Sequence, residues 1–177
     1  MKIIKIKNQK GFSLIEMMVV VVILGIIVLG LVTFFTGGAK SWVAGQSQLE
    51  AQRNARQAMD RMVRQIREAS DIKENSTSYK IIFRTPWVTN DLEYSWTGNI
   101  WEPIYKGTVP LINNVQSLTF KYFDGSDGEI TTLPITGADA LKISKIHIDL
   151  KVDVDKDSNP DVTLNTDVNL RNYGLPE

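Results

Sequence analysis

The stretch Met17–Ala39 holds 23 consecutive residues without a charge, and Met17–Val32 is apolar throughout apart from Gly25 and Gly30. At about 1.5 Å of rise per residue, roughly 20 apolar residues cross a hydrocarbon core as a helix. This run is long enough to do so. Four lysines (Lys2, Lys5, Lys7, Lys10) precede it, whereas only Lys40 and Arg53 follow it closely. That asymmetry places the N-terminus in the cytoplasm and the C-terminal bulk outside. Gly37 and Ala39 offer small residues for a signal-peptidase cut, but a cleavable signal has an apolar core of about 7–15 residues. The longer run, with the acid Glu16 at its edge, reads as a retained span.

Composition narrows the chemistry. The 177 residues suit one domain of ordinary size beyond the span. With no cysteine, the chain has no disulfide, thiolate metal site or Cys nucleophile, and His147 is its only histidine. A multi-His metal centre is therefore excluded, and a Ser-His-Asp triad has no support. The zero net charge hides a second asymmetry. With the four leading lysines set aside, sixteen bases face twenty acids, a net −4 from Phe12 onward. Bulk electrostatics therefore does not favour nucleic acid as a direct partner.

Glu16 stands at the border of the apolar run, after Phe12, Leu14 and Ile15. A carboxylate near hydrocarbon is costly unless it meets a cation or a proton. The run Lys10-Gly11-Phe12-Ser13-Leu14-Ile15-Glu16, followed at once by Met17-Met18-Val19-Val20-Val21-Val22-Ile23-Leu24, closely resembles the type IV prepilin signature. That signature, shared by type IV pilins and type II secretion pseudopilins, joins a basic leader, Gly, Phe, Glu and an apolar helix in fixed register.

The resemblance implies that Gly11 is the last leader residue, read by a prepilin peptidase, and that Phe12 becomes an N-methylated N-terminus. It also implies that Glu16 pairs with the Phe12 α-amine between subunits as a filament assembles. The implied partners are other pilin or pseudopilin subunits, the peptidase and an inner-membrane assembly platform; no cofactor is implied. Physical logic agrees, because cutting after Gly11 creates an ammonium four residues from an otherwise unpaired acid. Such a contact would set axial register, as one buried polar group does in a coiled coil. The chain departs from many major pilins in two respects. Its first proline is Pro86, so no proline kinks the apolar helix, and it lacks a disulfide-closed C-terminal loop. Both weaken the case for a major pilin and leave the minor, low-copy classes open.

Between Gln46 and Ser70 there is no Pro or Gly, and Ala55, Met59, Met62, Ile66 and Ala69 recur at spacings of three and four. This predicts an amphipathic helix. Arg53, Arg56, Arg61, Arg64 and Arg67 lie mostly off the apolar stripe and read as a solvated face, with Asp60–Arg64 as an i,i+4 pair. The segment Gln52–Ala69 resembles W-type minor pilins and J-type minor pseudopilins, families of tip or priming components. Beyond Ser70 the period is two. Ile146, Ile148, Leu150, Val152 and Val154 alternate with polar residues, as do Val162, Leu164, Thr166, Val168 and Leu170. These are two strands joined by the turn-rich Asp155–Asp161. Shorter strands are expected at Tyr79–Arg84, Leu92–Trp96, Ile100–Tyr105 and Leu118–Phe123, with a turn at Asp124–Gly128. The predicted fold is α+β: a long N-terminal helix, membrane half plus amphipathic half, packed on a C-terminal antiparallel sheet. Its expected parts are a leader (1–11), a transmembrane and assembly helix (12–39), an amphipathic helix (40–70) and an extracytoplasmic β domain (71–177).

The acids Asp153, Asp155, Asp157 and Asp161, with Asn159, form the best cation candidate, since Ca²⁺ takes loop oxygens. They fail the EF-hand pattern, with Ser158 at the glycine position and Leu164 at the closing acid. Asp153 falls on the polar face of its strand, and the cluster reads as a solvated turn. Trp87, Trp96, Trp101, Tyr94 and Tyr105 read as core rather than as an adhesive or sugar-stacking surface. His147 reads as exposed. No nucleophile–base pair or phosphate loop is legible, which argues against an enzyme, and the resemblance implies a filament subunit. The alternative is a permanently anchored single-pass protein whose β domain binds an external partner.

Overall fold

The computed structural model describes residues 11–171, so the four leading lysines and the rest of segment 1–10 lie outside the described residues. A helix, α1, spans Leu14–Arg67. The chain divides into two compact units, one ending at Gly45 and one beginning at Gln46.

In the first unit, α1 opens after Ser13, whose carbonyl accepts the N–H groups of Glu16 (3.0 Å) and Met17 (3.2 Å). Its apolar residues are exposed from Leu14 to Phe35, as lipid-facing side chains should be. Thr33 and Thr36 return their hydroxyls to the carbonyls of Leu29 and Gly30 (3.0 and 2.9 Å) and of Val32 and Thr33 (2.9 and 3.1 Å). Neither threonine therefore presents an unsatisfied donor to an apolar surrounding.

In the second unit the rest of α1 lies on β structure. Ala55, Ala58, Met59, Met62 and Ile66 are buried, as is Ala69 just past the helix end. The three-and-four spacing thus marks the packed face. The helix stops at Arg67, three residues before the expected Ser70. There the Arg67 carbonyl accepts the N–H of Arg171 at 2.9 Å.

Two antiparallel sheets replace the single sheet expected from the sequence. One has the order β1 (Asp71–Ile72), β2 (Lys80–Arg84), β3 (Leu92–Ser95), β4 (Ile104–Lys106), β5 (Val109–Ile112). The other has the order β7 (Glu129–Ile130), β6 (Val115–Asp124), β8 (Ile143–Val152), β9 (Val162–Asn169). A four-residue helix, α2 (Gly137–Ala140), follows β7 and is capped by the Thr136 hydroxyl. The long strands carry the second sheet: Leu118, Phe120 and Tyr122 face Leu150, Ile148 and Ile146, and Ile146 in turn faces Val168. All are fully buried and share one core with Met62, Ile66, Ile81, Phe83 and Tyr94. Phe83 stacks on Tyr94 with ring centroids 6.0 Å apart, and the Tyr94 hydroxyl donates to Gln65 Oε1 at 2.6 Å. That bond ties the first sheet to the helix.

Several local expectations are corrected. The strand expected at Ile100–Tyr105 shrinks to Ile104–Lys106. Trp101 has a φ of +68° and donates its backbone N–H to the Val115 carbonyl at 2.7 Å, which takes it out of any ladder. Tyr94 and Trp96 are core and Trp101 and Tyr105 are half-buried, but Trp87 is 84% exposed in the β2–β3 connection. His147 is half-buried and paired rather than merely exposed: it sits opposite Asp167, with Nδ1 2.7 Å from Oδ1. Asp60 and Arg64 do not come within 4 Å as an ion pair.

Candidate functional site

Two groups of residues carry chemistry, one at the start of α1 and one at the β8–β9 connection. At the first, Gly11 and Phe12 precede the helix, and Phe12 is 77% exposed. A side chain at Gly11 would meet nothing within 4 Å, so the fold itself does not require glycine there. Glu16 lies in the first turn of α1, where the positive end of the helix dipole favours a carboxylate. Its side chain is exposed, and no hydrogen-bond or ion-pair partner reaches the carboxylate among the described residues.

At the second group the reading of Asp153 as a strand's polar residue is overturned. β8 ends at Val152, and Asp153 turns inward to full burial. Its backbone N–H donates to the Asn114 carbonyl at 3.0 Å. Its carboxylate accepts the N–H of Lys156 (2.7 Å), the N–H of Ser158 (3.0 Å) and the indole Nε1–H of Trp101 (3.4 Å). Lys156 and Ser158 adopt φ of +62° and +74°, and the short bonds to Asp153 hold that left-handed backbone in place. Asp157 and Asn159 donate their N–H groups to the carboxylates of Asp155 (3.2 Å) and Asp157 (2.7 Å), continuing the loop as successive Asx turns.

Asp153, Asp155 and Asp161 each bring one oxygen within 4.8 Å of the others, whereas Asp157 stays outside this group. Asp161 accepts from Gln48 Nε2 and from the Val154 N–H, both at 2.8 Å, and these bonds hold its carboxyl below the usual range. Asp155 accepts from the Asp157 N–H, which favours its charged form. Desolvation and the neighbouring charges of Asp157 and Asp161 outweigh that bond and raise it. Much of the cluster's acceptor capacity is thus engaged in shaping the loop. The sequence flagged these acids by type, but it could not reveal Trp101 and Asn114 as their partners, which come from segments some 40–50 residues away.

No curated protein sequence matches the chain. Residues 6–32 match the family model of the prokaryotic N-terminal methylation motif, a type IV pilin-like signature that embraces Gly11, Phe12 and Glu16 and supports prepilin processing and membrane association.

Proposed function

We propose that this chain is a minor type IV pilin or pseudopilin, a structural subunit and not an enzyme. The single observation that carries the reading is the methylation motif at residues 6–32, in which Glu16 opens an apolar helix with its carboxylate unpartnered among the described residues. The subunit waits in the inner membrane with segment 1–11 as a cytoplasmic leader, 12–39 as its span and 71–177 as an extracytoplasmic domain. Cleavage after Gly11 frees the Phe12 amine, which is methylated and meets Glu16 of an adjoining subunit at the assembly platform. The missing proline kink, the absence of cysteine and the W-type and J-type likeness of Gln52–Ala69 support a low-copy place at or near the filament tip. Retention of Glu16 fits a place beneath another subunit rather than the outermost one.

N-terminal sequencing of the purified protein tests the reading. Phe12 supports the pilin, Met1 the permanently anchored alternative, and Lys40 a secreted product. Gly11→Val should leave the leader attached, a chain about eleven residues heavier. Because nothing crowds position 11, that result would report on the peptidase and not on folding. Normal maturation of Gly11→Val would mean that the processing site lies elsewhere.

A further inference from the structure

From Gln46 to Ser70 every basic residue is an arginine: Arg53, Arg56, Arg61, Arg64 and Arg67. From Asp71 onward the preference reverses, with eight lysines and two arginines. Solvation alone does not call for that contrast, since a lysine keeps a helix face wet equally well. Arginine differs in its weakly hydrated planar fork, which grips a carboxylate through two parallel bonds, and it is enriched at protein interfaces where lysine is depleted.

The placement of these arginines is equally selective. At 100° per residue, Arg53, Arg56, Arg64 and Arg67 fall within an arc of roughly 80°, opposite the buried stripe, and extend over about 21 Å of helix. All four are exposed. None is ion-paired among the described residues, although Asp60 stands within the same arc. The spacings Arg53–Arg56 and Arg64–Arg67 are like-charged i,i+3 neighbours, which weaken a helix slightly. Asp60, four residues from both Arg56 and Arg64, offsets part of this repulsion but closes no ion pair with them among the described residues.

We infer that this arginine face is a docking surface for a carboxylate-bearing face of an adjoining filament subunit. The inference rests on the pilin reading above and names the chemistry of its partner. A protein partner is favoured over nucleic acid because residues 46–177 hold nineteen acids against fifteen bases. The domain's long-range field therefore repels a polyanion, whereas short bidentate contacts act inside the Debye length of about 8 Å. Four such contacts along one helix would fix the rotation of a subunit about its axis, which an N-terminal amine–Glu16 contact alone leaves free.

The test uses the full-length chain at native expression. In one arm the four arginines are changed together to glutamate, and in another to lysine. With glutamate, recovery in sheared filaments should fall at least tenfold while the processed Phe12 N-terminus and the membrane level stay normal. Lysine, which keeps the charge but not the two-pronged grip, should restore only a minor part of the recovery, and full recovery with lysine would overturn the role given to the guanidinium. In a third arm a photo-cross-linking residue replaces Gln57, which is exposed beside the row. The joined peptide should come from another filament subunit and carry at least two carboxylates within a few residues. Filament entry of the glutamate variant at the wild-type level would overturn the inference, as would cross-linking to DNA or to a peptide without acids. An unprocessed wild-type chain would overturn the pilin reading itself, so the two failures are distinct.

Discussion

Replacing Asp153 by alanine should loosen the β8–β9 connection, and the structure sets the size of the effect. The carboxylate is fully buried and accepts three donors, two of them backbone N–H groups at 2.7 and 3.0 Å and the third the Trp101 indole at a longer 3.4 Å. Bonds to a charged acceptor contribute about 1.5–3 kcal/mol each, and a buried donor left bare costs about 1–3 kcal/mol. Ser158 and Lys156 are exposed residues, so their N–H groups can turn to water once released, and the loss falls short of the full sum. We expect Asp153→Ala to cost about 2–4 kcal/mol. Ser158 and Trp101 share Oδ2 while Lys156 uses Oδ1, so Asn can keep its oxygen for the first two and turn its amide toward the Lys156 N–H. Asp153→Asn should therefore cost about half as much. Urea unfolding of the full-length protein in detergent, followed by tryptophan fluorescence, measures both, and Trp101 reports directly on the knot. A loss below about 0.5 kcal/mol for Asp153→Ala, within the scatter of ordinary surface changes, would refute the assignment of Asp153 as the organiser of this loop.

Other perturbations test separate parts of the molecule. Met62 is fully buried between helix and sheets, so Met62→Ala should cost about 2–5 kcal/mol, read as a lower urea midpoint with an unchanged slope. Burial, opposed in part by the nearby Arg61 charge, raises Tyr94 from 10.0 to about 12. The neutral phenol is then favoured in the folded state, so its contribution is complete below pH 10 and is lost as pH climbs from 10 toward 12. Urea midpoints measured across that window should fall less steeply for Tyr94→Phe than for the wild type. Glu16→Leu should be cleaved to Phe12 and retained in the membrane yet be absent from sheared filaments. Normal incorporation at native expression would remove the amine–carboxylate pairing.

What was legible in the sequence was what neighbours along the chain determine. The stripe Ala55, Met59, Met62, Ile66 announces its own helix, because three-and-four spacing puts four apolar side chains on one face whatever they later meet. The alternations through Ile146–Leu150 and Val162–Val168 do the same for two strands. Parity fails where the backbone leaves the ladder. Asp153 is one residue past the end of β8, and once Val152 has made its last pairing with Val162, the odd–even rule no longer says which way the next side chain points. The division into two sheets was hidden for a related reason. β1 and β7 are two residues long, too short to show a period, and β5 contains Pro110, which argues against a strand on local grounds and is tolerated because β5 is an edge.

The N-terminal motif presents the reverse case, since its meaning is local but its energetic partner is not. Lys10-Gly11-Phe12 through Glu16 can be read by an enzyme one residue at a time, so sequence alone exposes it. On the proposed reading the cation that neutralises Glu16 comes from another subunit, so one chain displays only its own half of the pair. Arg53, Arg56, Arg64 and Arg67 are likewise exposed and without an ion pair among the described residues. In each unit, then, charged side chains stand without an ion pair among the described residues. Elsewhere the fold does pair them, at Asp71–Lys73, Asp127–Lys145 and His147–Asp167. Uncompensated charge of opposite sign, an acid at the start of α1 and arginines before its end, is what a subunit needs if its counter-ions are to arrive only with its neighbours. On the proposed pilin reading, assembly is favoured over the isolated subunit at both places, by pairings made between subunits.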